Sequence, residues 1–225
     1  MSLLMRDLLP RTVEIMETFG DAPVSSLFPE EAAVVANAAE VRRREFATVR
    51  SCARTALGRL GEPPAPLLPG LRGAPGWPAG IVGTMTHCTG YRAAAVARSS
   101  DVVSLGMDAE RNEPLPNEGV LDLVTLPAER TRLTQLTADR PEICWDRLVF
   151  SAKESVYKTW FPLTHTFLDF LECDVTVHPA TGTFTARLLV PGPLVSGTRL
   201  PTFKGTWRAT NSLLLTAITL PRWTR

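Results

Sequence analysis

Two long helical runs, each closed by Gly or Pro and each followed by strand-like segments, constrain this chain more than any other feature. The first covers residues 30–60. Phe46, Val49, Ala53, Leu57 and Leu60 recur at helical spacing and make an apolar face, Arg43, Arg50 and Arg54 gather on the other side, and Gly61 stops the run. A Pro/Gly loop over 62–78 carries one basic residue, Arg72. Strands are expected over 81–86, 91–98 and 102–110, with Gly90 and Ser99-Ser100 at the turns. The second half opens with a loop over 111–119, rich in Pro and Asn, and a short helix over 127–137. A stronger helix follows over 144–161 and is expected to stop at Pro162. Strands over 173–178, 183–190, 204–209 and 213–220 complete the chain. The plan repeats, a major helix and then about three strands. It predicts an α+β fold of two lobes, 1–106 and 107–225, with a seam between them of the kind where ligand sites often lie.

Composition narrows the function classes. A formal net charge of +1 argues against a general nucleic-acid binder and leaves room only for a local basic patch. Cys52, Cys88, Cys144 and Cys173 form no CxxC pair, so neither a zinc site nor a disulfide framework has support, and reduced thiols in a cytoplasmic protein are expected. Arg6 and Asp7 interrupt the apolar start of the chain, which therefore lacks a signal-peptide core. The apolar stretch over 213–220 is far short of the ~20 residues of a membrane helix.

Three elements carry chemistry. In Val103-Ser104-Leu105-Gly106-Met107-Asp108-Ala109-Glu110 the pattern alternates, so Asp108 and Glu110 share one face of a strand end. Such a pair repels unless a cation lies between, and oxygen ligands without Cys or His suit Mg²⁺. A solvated strand end is the alternative. In the second element, Trp145, Leu148, Val149, Ala152, Val156 and Trp160 form an apolar face. Arg147, Ser151, Glu154 and Lys158 form the opposite stripe, flanked by Phe150, Tyr157 and Phe161. Those aromatics suit a ligand with an apolar arm beside a charged head; an i,i+4 Glu–Lys pair on a solvated helix face is the alternative. The third element, Thr84-Met85-Thr86-His87-Cys88, ends a strand, where His87 is either a structural hydrogen-bonder or a donor to phosphate.

Taken in order, Thr86-His87, Gly106-Met107-Asp108-Ala109-Glu110 and Phe150-Ser151-Ala152-Lys153-Glu154-Ser155-Val156-Tyr157-Lys158 resemble the surfactin-type phosphopantetheinyl transferases. Arg42-Arg43-Arg44-Glu45-Phe46 to Arg50, Trp77-Pro78, Trp145-Asp146-Arg147 and Trp160-Phe161-Pro162-Leu163-Thr164 resemble the actinobacterial branch, and the likeness runs from about residue 28 to the end. The resemblance implies a pseudo-twofold pair of similar α+β lobes with the active site at the seam, and Asp108, Glu110 and Glu154 as ligands of Mg²⁺, with Mn²⁺ as a substitute. It implies that coenzyme A is the substrate, bound by Arg42, Arg50, Arg72, Thr86, His87, Asp108, Lys153 and Lys158. Helical geometry puts Arg43 rather than Arg42 in line with Arg50, and all three arginines have ordinary surface charge as their alternative role.

The implied reaction is Mg²⁺-dependent attack by a serine of an acyl or peptidyl carrier protein on the β-phosphorus of coenzyme A, releasing 3′,5′-adenosine bisphosphate. Glu154 is the candidate base, directly or through a bound water, and Lys158 the group that offsets charge on the leaving oxygen. The acceptors are carrier proteins of polyketide, nonribosomal peptide or fatty acid synthases, docking near residues 111–125, and a monomer is expected. Two rivals remain. One is another Mg²⁺-dependent nucleotidyl or phosphoryl transferase, which the lack of a Walker A loop disfavours. The other is a non-catalytic coenzyme A or carrier-protein binding module, which has no need of three carboxylates.

Overall fold

A computed structural model describes residues 4–222; residues 1–3 and 223–225, the outer ends of the two expected lobes, lie outside the described residues. The chain divides into two compact units. One runs to Leu105 and is rejoined by the chain at Pro221; the other is Gly106–Leu220. The return has a local cause: Arg222 N–H donates to the Asp101 carbonyl at 2.8 Å, and its guanidinium Nε to the Ser99 carbonyl at 2.7 Å.

The first unit contains β1 (Val13–Thr18), α1 (Pro29–Val34), α2 (Glu40–Arg59), β2 (Ile81–Cys88) and β3 (Tyr91–Arg98). Its sheet has the order β1-β3-β2 and is antiparallel throughout. The third strand is therefore β1, from before the helix, and not the strand after β3. Ala93 to Ala97 of β3 are completely buried, so this strand sits centrally and takes a partner on each edge. Small side chains on β3 let α2 lie close: Cys52, Ala53, Ala56 and Leu57 pack on Ala94, Val96, Ile81 and Leu67. β1 hides from sequence reading because one of its inward positions is Glu17. That carboxylate is buried and accepts from Tyr91 Oη at 2.6 Å and Met5 N at 2.9 Å.

The helix expected over 30–60 is two helices. Glu31 of α1 is fully buried, takes a two-oxygen grip from Arg54 Nη1 at 2.8 and 2.9 Å, and accepts from Leu67 N at 2.8 Å. In one straight helix residues 31 and 54 would stand about 35 Å apart. The ion pair therefore forms only if the chain folds back between them.

The second unit begins within β4 (Val102–Arg111) and continues through α3 (Glu118–Val124), α4 (Pro127–Asp139), α5 (Trp145–Thr164), β5 (Cys173–His178) and β6 (Thr183–Leu188). A two-stranded hairpin, β7 (Leu194–Val195) and β8 (Thr198–Arg199), precedes β9 (Thr202–Ala209) and β10 (Leu213–Pro221). The five-stranded sheet has the order β4-β10-β9-β6-β5. The expected apolar face of α5 is buried as read, with Trp145 edge-on to Trp207 at 5.3 Å. Ser151, placed on the polar stripe from the sequence, is buried instead, 2.9 Å from Thr216 Oγ1, beside Ser155 at 2.8 Å. α3 starts within the loop expected over 111–119 and runs on to Val124; Asn117 caps it by accepting from Val120 N at 3.0 Å. α5 continues past Pro162 and ends at His165, a left-handed residue with φ 54°. Pro162 removes only one late donor, and Trp160 Nε1 donating to the Thr166 carbonyl at 3.0 Å secures the end. Among the described residues no helix is long and apolar enough to cross a membrane.

Gly106 sets the distance between β4 and α5. A Cβ there would stand 2.2 Å from the Ser155 carbonyl oxygen and 2.3 Å from Thr159 Oγ1. Backbone cannot yield as a flexible side chain can. Gly106→Ala is expected to destabilise the protein by about 3 kcal/mol or more, read as a lowered urea midpoint at unchanged slope.

Candidate functional site

Close packing of β4 on α5 brings Asp108 and Lys158 together. Lys158 Nζ donates to Asp108 Oδ1 at 2.7 Å and to the Met107 carbonyl at 3.1 Å, and Asp108 is only 4% exposed. Two residues along β4, Glu110 Oε2 lies 3.3 Å from Arg147 Nη1 of α5. Arg147 is itself tied to the chain after β4, donating to the carbonyls of Glu113 at 3.2 Å and Pro114 at 2.9 Å.

The carboxylates feel one another. Burial, reinforced by Asp108 and less strongly by Glu154, pushes Glu110 up to about 7 against the pull of Arg147 and Lys158. Burial is also the main cause that raises Glu154, with Lys158 opposing and Asp108 adding to the rise. This is the electrostatic condition a divalent cation would relieve, and the donors are all oxygens, as a hard cation requires. As the side chains stand, however, no three His, Cys, Asp or Glu among the described residues are gathered for one ion. Lys158 and Arg147 hold two of the carboxylates instead. The residues fit a hard cation in kind and charge; closing the set requires those two cations to give way.

Lys153 is not a surface group. It is 2% exposed, and its Nζ donates to Glu129 Oε2 at 2.7 Å and to the carbonyls of Val124 and Phe170, each at 2.8 Å. Glu129 in turn accepts from Leu126 N at 2.7 Å and Val175 N at 2.6 Å. All three ammonium donors are used inside the fold, which gives Lys153, expected to contact coenzyme A, a structural role in this arrangement. Helical spacing explains the difference: Lys153 is one residue before Glu154, and consecutive residues on a helix point about 100° apart.

Aromatic neighbours of the carboxylate stripe form two groups. Tyr157 lies 5.7 Å from Phe161 and 5.8 Å from Phe167, and Phe150 lies 5.6 Å from Phe170.

The first unit carries a separate charged group. Arg42 Nη1 of α2 stands 2.8 Å from His87 Nε2 of β2, and Glu45 lies 3.4 Å from the imidazole and 3.7 Å from Arg42. Thr86 is adjacent to His87, so strand alternation turns its side chain to the other face, where it is buried. Thr86 and His87 thus do not present a common pair. Arg50 also departs from expectation. It is 5% exposed, donates Nε to the Leu67 carbonyl at 2.9 Å, stacks 3.1 Å over the Phe46 ring, and burial lowers it to about 10. Arg72 is exposed, in a left-handed turn conformation with φ 52°. Of the three arginines, Arg42 joins His87, while Arg50 serves the Glu31 core. Sequence reading overlooked Glu45 and Glu129; Glu45 was visible as an i,i+3 partner of Arg42.

The site thus sets Gly-x-Asp-x-Glu on strand β4 against Lys-Glu-x-x-x-Lys on helix α5. Residues 30–97 match the family profile of the 4′-phosphopantetheinyl transferase N-terminal domain, and residues 104–208 that of the 4′-phosphopantetheinyl transferase superfamily. The chain belongs to the 4′-phosphopantetheinyl transferases and is an enzyme of that class. It is 62% identical to 4′-phosphopantetheinyl transferase Svp of Streptomyces mobaraensis, over 94% of this chain and 87% of the relative. It is 46% identical to 4′-phosphopantetheinyl transferase PptT of Mycobacterium tuberculosis, over 96% and 98%. To 4′-phosphopantetheinyl transferase Npt of Nocardia iowensis it is 45% identical, over 96% and 99%.

Proposed function

We propose that this transferase moves the 4′-phosphopantetheine arm of coenzyme A onto a serine of acyl or peptidyl carrier proteins, with release of 3′,5′-adenosine bisphosphate. The observation that carries the reading is Lys158 at 2.7 Å from Asp108, beside Glu110 and Glu154, two carboxyls raised by burial and by their acidic neighbours. Asp108, Glu110 and Glu154 would hold Mg²⁺, or Mn²⁺ in its place. When bound, such an ion neutralises negative charge on a diphosphate.

The protein's own groups do the rest. The serine hydroxyl forms a bond to the β-phosphorus as the bond to the bridging oxygen breaks. Its proton passes to Glu154, the candidate base. Lys158 leaves Asp108 to donate to the departing phosphate oxygen, where charge accumulates. Arg42 and His87, with Arg72 as the exposed basic residue of the loop before β2, are the proposed phosphate donors of the first unit. Tyr157, Phe161 and Phe150 are proposed to flank the pantetheine arm. Acceptor docking is proposed on residues 111–125, where α3 leaves Leu123 69% exposed. The acceptors would be carrier proteins of polyketide, nonribosomal peptide or fatty acid synthases, served by a monomer in the cytoplasm.

Incubation with an apo carrier protein, coenzyme A and Mg²⁺, followed by intact mass, tests the reaction. A carrier heavier by one phosphopantetheine group is expected. A nucleotidyl adduct would favour the rival transferase, and an unchanged mass the binding module.

A further inference from the structure

Glu45 meets both Arg42 and His87, and its place in the fold is braced from behind. Its Oε2 stands 3.7 Å from Arg42 Nη1 and 3.4 Å from His87 Nε2, while its Oε1 stands 3.7 Å from Arg92 Nη2. Arg92 belongs to β3, directly across from His87 in the sheet register. It is 6% exposed and anchored by Asp21 at 3.2 Å and by the Cys88 carbonyl at 2.6 Å. A chain of contacts therefore runs from Asp21 through buried Arg92 to Glu45, and from there to the more exposed Arg42 and His87.

We propose that Glu45 is a positioning residue, holding Arg42 and His87 together as a clamp for a phosphate of coenzyme A; this rests on the reading that those two residues meet that phosphate. Arginine only donates, so in the arrangement seen Arg42 donates to a lone pair on His87 Nε2. A long arginine side chain half in solvent has many rotamers and loses entropy when fixed. Glu45 fixes it beforehand, because its carboxylate is within reach of both groups at once and is itself held by Arg92. An arriving phosphate then meets the Arg42 donor already placed, replaces the Arg42–His87 contact, and takes a second donor from His87 when Nε2 carries a proton. The charge balance still favours an anion: Arg42 and Arg92 flank Glu45 even before His87 is counted.

The test is a double-mutant cycle on the intact enzyme, with initial rates measured against coenzyme A at saturating carrier protein and folding checked by thermal denaturation. Glu45→Gln keeps the shape and removes the charge. It is expected to raise KM for coenzyme A about tenfold with kcat within about twofold, and Glu45→Asp to recover part of the loss. In an Arg42→Ala/His87→Ala background the same change is expected to alter KM by less than about twofold, because the groups it positions are gone. A full tenfold effect in that background would overturn the positioning role. So would an unchanged KM in Glu45→Gln when His87→Ala raises it. An unchanged KM in both Arg42→Ala and His87→Ala would instead overturn the phosphate reading beneath it.

Discussion

Asp108→Ala is expected to lower the rate of phosphopantetheinyl transfer by at least about 100-fold, and Glu154→Ala to do the same, with the fold retained in both. Asp108 and Glu154 flank Lys158 on the face where β4 meets α5, and each disfavours ionisation of a neighbouring carboxyl. Removing one relieves that repulsion in the resting protein; Asp108→Ala also gives up the ion pair to Lys158, but that lysine is 25% exposed and can be solvated, so only a modest loss of stability is expected. Charge on a reacting diphosphate appears only with substrate, and its neutralisation is what the variants lose. Lys158 would keep its bond to the Met107 carbonyl at 3.1 Å in Asp108→Ala, so it stays near the site. Rates with apo carrier protein and coenzyme A at saturating Mg²⁺, beside urea unfolding of the same preparations, separate the two effects. Near wild-type transfer by Asp108→Ala would remove it from the ligand set.

Lys153→Ala should behave in the opposite way. It is expected to destabilise the protein by about 3–5 kcal/mol, because it leaves the Glu129 carboxylate buried without its cation. The carbonyls of Val124 and Phe170 lose their donor at the same time. Glu129 keeps the amides of Leu126 and Val175, which holds the loss toward the lower end. Lys153→Met combined with Glu129→Gln removes both charges and is expected to regain much of the stability. KM for coenzyme A in that folded double variant should stay within about twofold of wild type, since the ammonium is 2% exposed and turned inward. Wild-type stability in Lys153→Ala together with a raised KM would show that the lysine serves the ligand after all.

These two lysines show where sequence reading reached its limit. Lys153 and Lys158 sit in one motif with one charge and the same chemistry. The motif distinguishes neither, because a sequence pattern records residue type and spacing, while burial depends on what the neighbouring helix brings. Here α4 brings Glu129, from a segment in which the sequence shows only a short helix. The arginines repeat the lesson. Arg50 and Arg54 turn inward because Glu31, from a part of the chain read as continuous with theirs, folds back onto them. Arg42, out of phase with them, meets His87 from a strand 45 residues away.

The helix periodicity of α2 and α5, the strand alternation of β4, and the Gly-x-Asp-x-Glu and Lys-Glu-x-x-x-Lys motifs were legible in the sequence alone, since each rests on local repeats of 3.6 or 2 residues. So was the family, which those motifs carry. Only the tertiary structure decided that β1 completes the first sheet, that Lys153 and Arg50 are core ions, and that Glu45 gathers Arg42 and His87. Each of these depends on pairing between distant segments, and the free energy of burying a charge is set by its partner rather than by its own place in the chain.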